Sequence, residues 1–349
     1  MRRIAFRGVL FAVFLATGTV RVVAAQTAAG PVEGVGIEAE GPAATTDVLS
    51  VSAARLSSNI ELDGRPSDAA WAAAPVISQF VQRDPIEGAA PTLRTEVRIL
   101  YDDEALYVSA RMFDSAPDSI VARLGRRDNR LDSDDFTVYL DPFLDRRTGY
   151  FFGINAAGTL RDGVLMNDDW DDEDWDGVWV GKARIDDDGW SAEFRIPFSQ
   201  LRFQASDEHV WGINFRRSIA RKNESDFLVY TPRKESGFVS RFPTLNGLTG
   251  IAPKRQLEVI PYLTTRAEYL DHDDADPFND GSNYVPGIGA DFRVGVTSNL
   301  TLNATVNPDF GQVEVDPAVV NLSDVETFFP EKRPFFIEGN SVFSGFGRG

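Results

Sequence analysis

The chain contains no cysteine. Disulfide staples and thiolate chemistry are therefore excluded. Histidine is nearly absent: His209 and His272 are the two present, which leaves little room for a zinc site or a histidine-based triad. Basic charge is in deficit, with 35 Lys and Arg against 53 Asp and Glu and a net charge of −18. Neutralising a phosphate backbone takes a surplus of Lys and Arg, so nucleic acid is not an expected partner. The apolar run over residues 8–20 is too short to span a bilayer as a helix, which takes about 20 residues. With Arg2, Arg3 and Arg7 before it and Val23-Ala24-Ala25 after it, it reads as a secretory signal over residues 1–25. The cut would precede Gln26. An uncleaved anchor helix is the alternative.

The chain does have length, apolar residues and short alternating segments. Its 349 residues are enough for two domains, and a hydrophobic fraction of 43% can build a core. Residues 26–54 are expected to be a flexible leader, being rich in Ala, Gly, Pro, Thr and Glu without periodicity. The segment TEVRILYDDEALYVSARMFD, residues 95–114, is the one around which the other strands are organised. Val97, Ile99 and Tyr101 alternate with Glu96, Arg98 and Leu100, and the same period runs from Leu106 to Phe113. Such alternation puts successive side chains on opposite faces of a strand, and Asp102-Asp103-Glu104 supplies the turn of a hairpin. Further strands are read at FTVYLD (136–141), YFFGIN (150–155), 178–185, 190–196, 210–219 and 226–230. Before the hairpin, NIELDGRPSDAAWAAA predicts a short strand at Ile60 and Leu62, a turn at Asp63-Gly64, and one or two helical turns that pack Trp71 into the core. Many short strands separated by turn signals imply a β-sandwich.

Composition shifts again at Ile251-Ala252-Pro253. Beyond it Leu257 to Tyr269 is strand-like, and residues 271–283 form an acidic loop. Then Phe292, Val294 and Val296 alternate with Asp291, Arg293 and Gly295. After a Ser298-Asn299 turn, Leu300, Leu302, Ala304 and Val306 alternate with polar residues. One apolar and one polar face on successive strands with a short turn is the pattern of a membrane barrel. A soluble antiparallel sheet would show the same alternation.

Two sets of motifs carry a resemblance. IELDGRPSDAAW, EVRILYDDEALYVSARMFD, DDFTVYLDP, RTGYFFGIN, DGWSAEFRIPFSQL and WGINFRR, taken in order, resemble the family 9 carbohydrate-binding module over residues 55–250. NLTLNATVNPDFGQVEVDPAVVNL and ETFFPEKRPFFIEG resemble a family of bacterial outer-membrane proteins that place such a module before a long C-terminal β-barrel. The resemblance implies an all-β chain: a jelly-roll-like β-sandwich, then antiparallel strands opening an outer-membrane β-barrel over residues 255–349. A closed barrel needs at least eight strands, so the chain is expected to be a fragment of a longer protein. The resemblance also implies a sugar held between two tryptophans. Leu131 stands at the first of these positions and Tyr230 near the second.

The densest polar-aromatic stretch is NDDWDDEDWDGVW, residues 167–179. Asp172, Asp174 and Asp176, followed by Gly177, match the opening of a calcium loop, although Ala183 stands where the closing Glu is expected. They either bind calcium with help from another segment or form a solvated acidic loop. Trp170, Trp175 and Tyr230 are the candidate stacking surfaces for sugar rings; Trp175 and Trp179 serve equally well as core. Arg123, Arg126, Arg127 and Arg130 either clamp an anionic glycan or pair with nearby Asp. Carboxylates abound, but nothing singles out a glycosidase pair, so no catalytic residue is expected. The sequence therefore predicts an exported glycan-binding module on an outer-membrane barrel, in support of carbohydrate catabolism or uptake. A glycoside hydrolase and a ligand-free plug domain of the barrel are the alternatives.

Overall fold

The computed structural model of the chain describes residues 49–254, 257–269, 281–297 and 300–308. The expected signal (1–25), most of the leader, most of the 271–283 loop with His272, the Ser298-Asn299 turn and the motifs beyond residue 308 lie outside them. The described residues form strands and short 3₁₀ turns, with no α-helix among them. In chain order the strands are β1 (Ser50–Ser52), β2 (Ala54–Arg55), β3 (Val81–Asp84), β4 (Thr95–Tyr101), β5 (Ala105–Phe113), β6 (Asp135–Asp141), β7 (Gly149–Asn155), β8 (Leu160–Met166) and β9 (Trp170–Asp172). They continue with β10 (Val180–Asp186), β11 (Gly189–Pro197), β12 (Glu208–Ile219), β13 (Glu224–Phe227), β14 (Thr244–Thr249), β15 (Leu257–Tyr269), β16 (Ser282–Thr297) and β17 (Leu300–Val306).

Two sheets make the sandwich. The larger runs β1-β14-β12-β6-β7-β8-β9, with β13 and β3 added beside the second half of β12. The smaller runs β10-β11-β5-β4-β2. The alternation read in the sequence is the reason they pack. Phe136, Val138, Leu140, Phe152, Ile154, Ile213 and Phe215 point inward from the larger sheet, meeting Val97, Ile99, Val108, Ala110, Ala192 and Phe194 of the smaller in one buried cluster. Trp179 stacks on Phe194 at 5.7 Å between ring centroids and meets Phe152 edge-on at 5.4 Å, a geometry aromatic pairs prefer.

The hairpin at 95–113 forms as expected, but both of its faces are buried over much of its length. A second cluster explains this: Trp71, on a 3₁₀ turn (Ala69–Ala73), packs with Leu100, Ala105 and Tyr107 on the outer face of the smaller sheet. Ile60 and Leu62, expected as a strand, pack against this cluster in irregular backbone. The edge of β4 is taken by β2, which pairs with it in parallel. A buried carboxylate pins the segment down. Glu193 accepts from the backbone N–H of Asp63 (3.1 Å) and Gly64 (2.9 Å) and from Trp71 Nε1–H (3.1 Å). Gly64 sits at φ +86°, and a Cβ there would lie 2.9 Å from the Ala183 backbone, so only glycine fits.

The fold also begins earlier than the composition suggests. β1, within the expected leader, runs parallel to β14. β8 is not evident from the sequence, because LRDGVLM does not alternate cleanly. The third sheet is β15-β16-β17, antiparallel throughout. Its register puts Leu257, Val294 and Leu302 in one row and Val259, Phe292 and Ala304 in the next, while Glu258, Arg293 and Asn303 share the opposite face.

Candidate functional site

A groove lies on the outer face of the larger sheet, away from the core. Its floor is set by register. Arg216 on β12 is opposite Thr137 on β6, Thr137 is opposite Gly153 on β7, and Gly153 is opposite Arg161 on β8. Residues directly opposite across adjacent strands share a face. Two small residues therefore lie between two arginines, and the sheet surface is hollow there. A Cβ on Gly153 would come 3.3 Å from Thr137 Oγ1 and 3.7 Å from Arg161 Nε.

Two adjoining cavities fill this hollow, of about 270 and 170 Å³, and Arg130, Arg161 and Arg216 line both. The larger is bounded by an aromatic cluster. Tyr139 and Phe151, one row along from Thr137 and Gly153, pack with Leu165, Val239 and Phe242. Phe238 closes edge-on over Tyr139 at 4.9 Å, and the Arg161 guanidinium lies 5.4 Å from the Phe151 ring centroid. The smaller cavity is bounded by Asn129 and Leu131 from the preceding loop and by Asn155 and Thr159.

Carboxylates hold the arginines in place. Arg216 Nη2 donates to Asp135 at 2.9 Å, Arg161 Nη1 to Glu173 at 3.3 Å, and Arg130 to Glu173 and Asp171. Burial by itself would raise the Asp135 carboxyl. The Arg216 charge, then that of Arg161, outweighs burial and holds it below the usual carboxylate range. Asp135 is thus an anion between two cations, and the arrangement is a fixed array of donors and acceptors.

The residues singled out in the sequence are dispersed. Leu131 lines the smaller cavity, and Thr231, next to Tyr230, lines the larger. The half-buried Tyr230 does not line either; its hydroxyl lies 3.3 Å from where a Cβ on Gly88 would be. Trp175 packs edge-on against Tyr150 (5.3 Å) and Phe152 (6.1 Å), on the core side of the sheet, and lines neither cavity. Trp170 opens β9. The structure therefore does not bring Trp175 and Tyr230 together in one groove. Of the four arginines, Arg123 pairs with Asp132 at 3.6 Å and Arg127 with Asp162 at 2.9 Å through Nε; Arg130 alone of these reaches the groove.

The expected calcium set is also redistributed. Asp172 accepts from the Asp174 backbone N–H at 3.0 Å, a local turn. Asp176 instead joins Asp128 and Asp162, the three offering carboxylate oxygens within 4.8 Å of one another. Among the described residues these three are the ones that could hold a metal ion, but a cation is already among them. Arg127 lies 3.5 Å from Asp176 and 3.6 Å from Asp128, and bonds Asp162 and the Gly177 carbonyl. Burial first, then the Asp162 and Asp176 charges, push the Asp128 carboxyl up to about 7.

Arg161, Arg216, Thr137 and Gly153 are not singled out by the sequence. The signal is present for three of them, as the outward positions of FTVYLD, YFFGIN and WGINFRR. Arg161 needs β8.

Residues 62–226 match the family described as carbohydrate family 9 binding domain-like, and residues 252–347 match a domain of unknown function, DUF5916. No curated protein matches the chain. Among solved structures, it is similar to a carbohydrate binding module family 9 from Caldicellulosiruptor kristjanssonii in complex with glucose. That likeness has 15% identity and a TM-score of 0.41, and covers 59% of this chain and 96% of that one. The same organism's module in complex with cellotriose gives 16% identity and a TM-score of 0.40, covering 59% and 94%.

Proposed function

We propose that this chain is an exported glycan-binding protein that holds a saccharide in the groove over Thr137 and Gly153 and is anchored by its C-terminal strands in the outer membrane. The observation that carries the reading is the coincidence of two facts. The segment matching a carbohydrate-binding family spans β3 to β12 and most of β13, and its outer sheet face carries a hollow lined by arginines, carboxylates, hydroxyls and aromatic edges. A sugar presents hydroxyls that both donate and accept, so a site with fixed groups of both kinds suits it. Small cavities beside the roughly 300–1,000 Å³ of drug-sized sites favour a short stretch of glycan.

The membrane part rests on the third sheet. Its apolar face is exposed, with Leu263 at 78% and Ile288 at 73%, facing each other in register, while its other face carries Glu258, Arg266, Glu268 and Arg293 together with the exposed Ile260 and Val285. Such a sheet matches the lipid-out, polar-in alternation of a barrel wall. Its role would then be to capture saccharide for breakdown or uptake.

The test is a glycan array probed with the detergent-solubilised chain. The reading expects a defined subset of glycans to bind, and no products to be released from them. Release of sugar would instead identify a hydrolase. Absence of any binding would leave a plug or assembly role for the sandwich.

A further inference from the structure

The groove is unusual for this chain. In a protein of net charge −18, the smaller cavity is lined by Arg130, Arg161 and Arg216 with Asp135 as its one acidic wall residue. The two inner arginines come from opposite sides of the floor, on the first and last strands of the order β12-β6-β7-β8, with Thr137 and Gly153 between them. Both arginines line the same two cavities, over one stretch of sheet.

Neither guanidinium is saturated. Each has five N–H donors. Among the described residues Arg216 bonds Asp135 through Nη2 alone, and its Nε is buried without a partner. Arg161 bonds Glu173 through Nη1 alone, its guanidinium resting against Phe151. Arg130 differs, its Nε and Nη2 being taken by Glu173 and Asp171.

We propose that the groove selects acidic saccharides, with Arg161 and Arg216 clamping the carboxylate of a uronate residue; this rests on the glycan-binding reading above. The acidic neighbours Asp135, Asp169, Asp171, Glu173 and Glu235 weaken any long-range attraction. They do not fill the open donors, however. Fixed forks meeting a planar carboxylate act at contact distance, where charge-assisted hydrogen bonds are short and strong. The neighbours also hold the arginines in place, so less side-chain freedom is lost on binding.

The experiment titrates the full chain in detergent with oligouronates of galacturonate, mannuronate and glucuronate. Each is paired with the neutral oligosaccharide made by reducing its carboxyls. Charge-assisted hydrogen bonds are stronger than neutral ones, so at least one acid should bind about tenfold or more tighter than its neutral counterpart. That advantage should shrink at about 1 M salt, where the screening length falls to about 3 Å. It should also shrink in Arg161→Gln and in Arg216→Gln, with the melting temperature checking that each variant is folded. Neutral members binding as well as their acids would overturn the acid selectivity while leaving glycan binding standing. An acid preference unchanged in both variants would overturn the clamp. If no member of any pair binds, the glycan-binding reading fails and this inference with it.

Discussion

Asp226 shows how a single buried acid shapes stability. It lies on β13, fully buried, and as an anion neither of its oxygens finds a donor among the described residues. Glu224 is two residues away on the same face. Burial first, then the Glu224 charge, raise the Asp226 carboxyl to about 7 from an ordinary 3.8, against the opposing pull of Arg217. Protonated, Asp226 can donate to Glu224. The folded state therefore holds a proton that the unfolded chain releases near pH 4. The stability this brings is fully present below about pH 4 and is lost as pH rises through about 7. Asp226→Asn, neutral at every pH, should melt higher than the parent at about pH 8 and nearly the same at about pH 4. Thermal melts across that range check it, and an equal shift at both ends would contradict the assignment. Gly153 makes the corresponding test of the groove. Gly153→Val fills the floor and pushes on Thr137 Oγ1 and Arg161, while valine suits a strand. Glycan affinity should fall about tenfold or more, which is about 1.4 kcal/mol, with the melting temperature little changed. Undiminished binding by a folded variant would place the site elsewhere.

The strand-borne elements are legible in the sequence where alternation is clean. Residues 95–113, 136–141, 150–155 and 190–196 read as strands and are strands, because each has one face buried in a common core. Segments whose burial depends on distant partners are not legible. β8 carries Arg161 and Asp162 in a segment without clean alternation and is held by pairing with β7. Ile60 and Leu62 look like a strand but cover Trp71 instead. For the same reason, Trp175 can be read as a ligand platform: exposure is set by which sheet a loop folds back on, and its contacts with Tyr150 and Phe152 come from residues more than twenty positions away. The groove itself is a property of four strands in register, so no single segment announces it. The 3₁₀ turn (Ala69–Ala73) offers a measurable case of such a long-range tie. Trp71→Phe keeps the apolar bulk but removes the donor to Glu193, leaving that buried carboxylate with its Asp63 and Gly64 partners. A hydrogen bond to a charged group contributes about 1.5–3 kcal/mol. Denaturant melts of Trp71→Phe should show a loss of about 2 kcal/mol; a loss under about 0.5 kcal/mol, the low end for an ordinary hydrogen bond, would mean the indole N–H is not what anchors the segment.

The molecule as a whole divides by what its faces require. The sandwich closes its own core: the last inward residue, Ile251, is buried in the main cluster, and β14 pairs β1 to complete the larger sheet. The sheet β15-β16-β17 does the opposite. Leu257, Leu263 and Ile288 are more than 70% exposed on its apolar face, while the other face carries the Glu258–Arg293 ion pair at 3.3 Å and Tyr262 lying over Gly289. Strands of 13 and 16 residues exceed both the five or six of a typical soluble strand and the roughly 9–11 needed to cross a bilayer. An apolar face that long, with both sheet edges unpaired among the described residues, invites aggregation in water unless lipid or further strands cover it. The two parts should therefore separate by solvent. Residues 49–252 expressed alone should stay soluble without detergent and melt in one cooperative transition. Residues 255–349 should aggregate in buffer and disperse in detergent micelles with a strand-rich circular dichroism spectrum. The proposed membrane face is then tested at its centre: Leu263→Asp with Ile288→Asp breaks one cross-strand apolar pair and puts two like charges opposite each other on a lipid-facing surface, costing several kcal/mol there. The paired variant should reduce the share of the full chain recovered in an outer-membrane fraction. Equal recovery of parent and variant, or a monomeric, water-soluble 255–349 segment, would rule out the bilayer as the partner of this face.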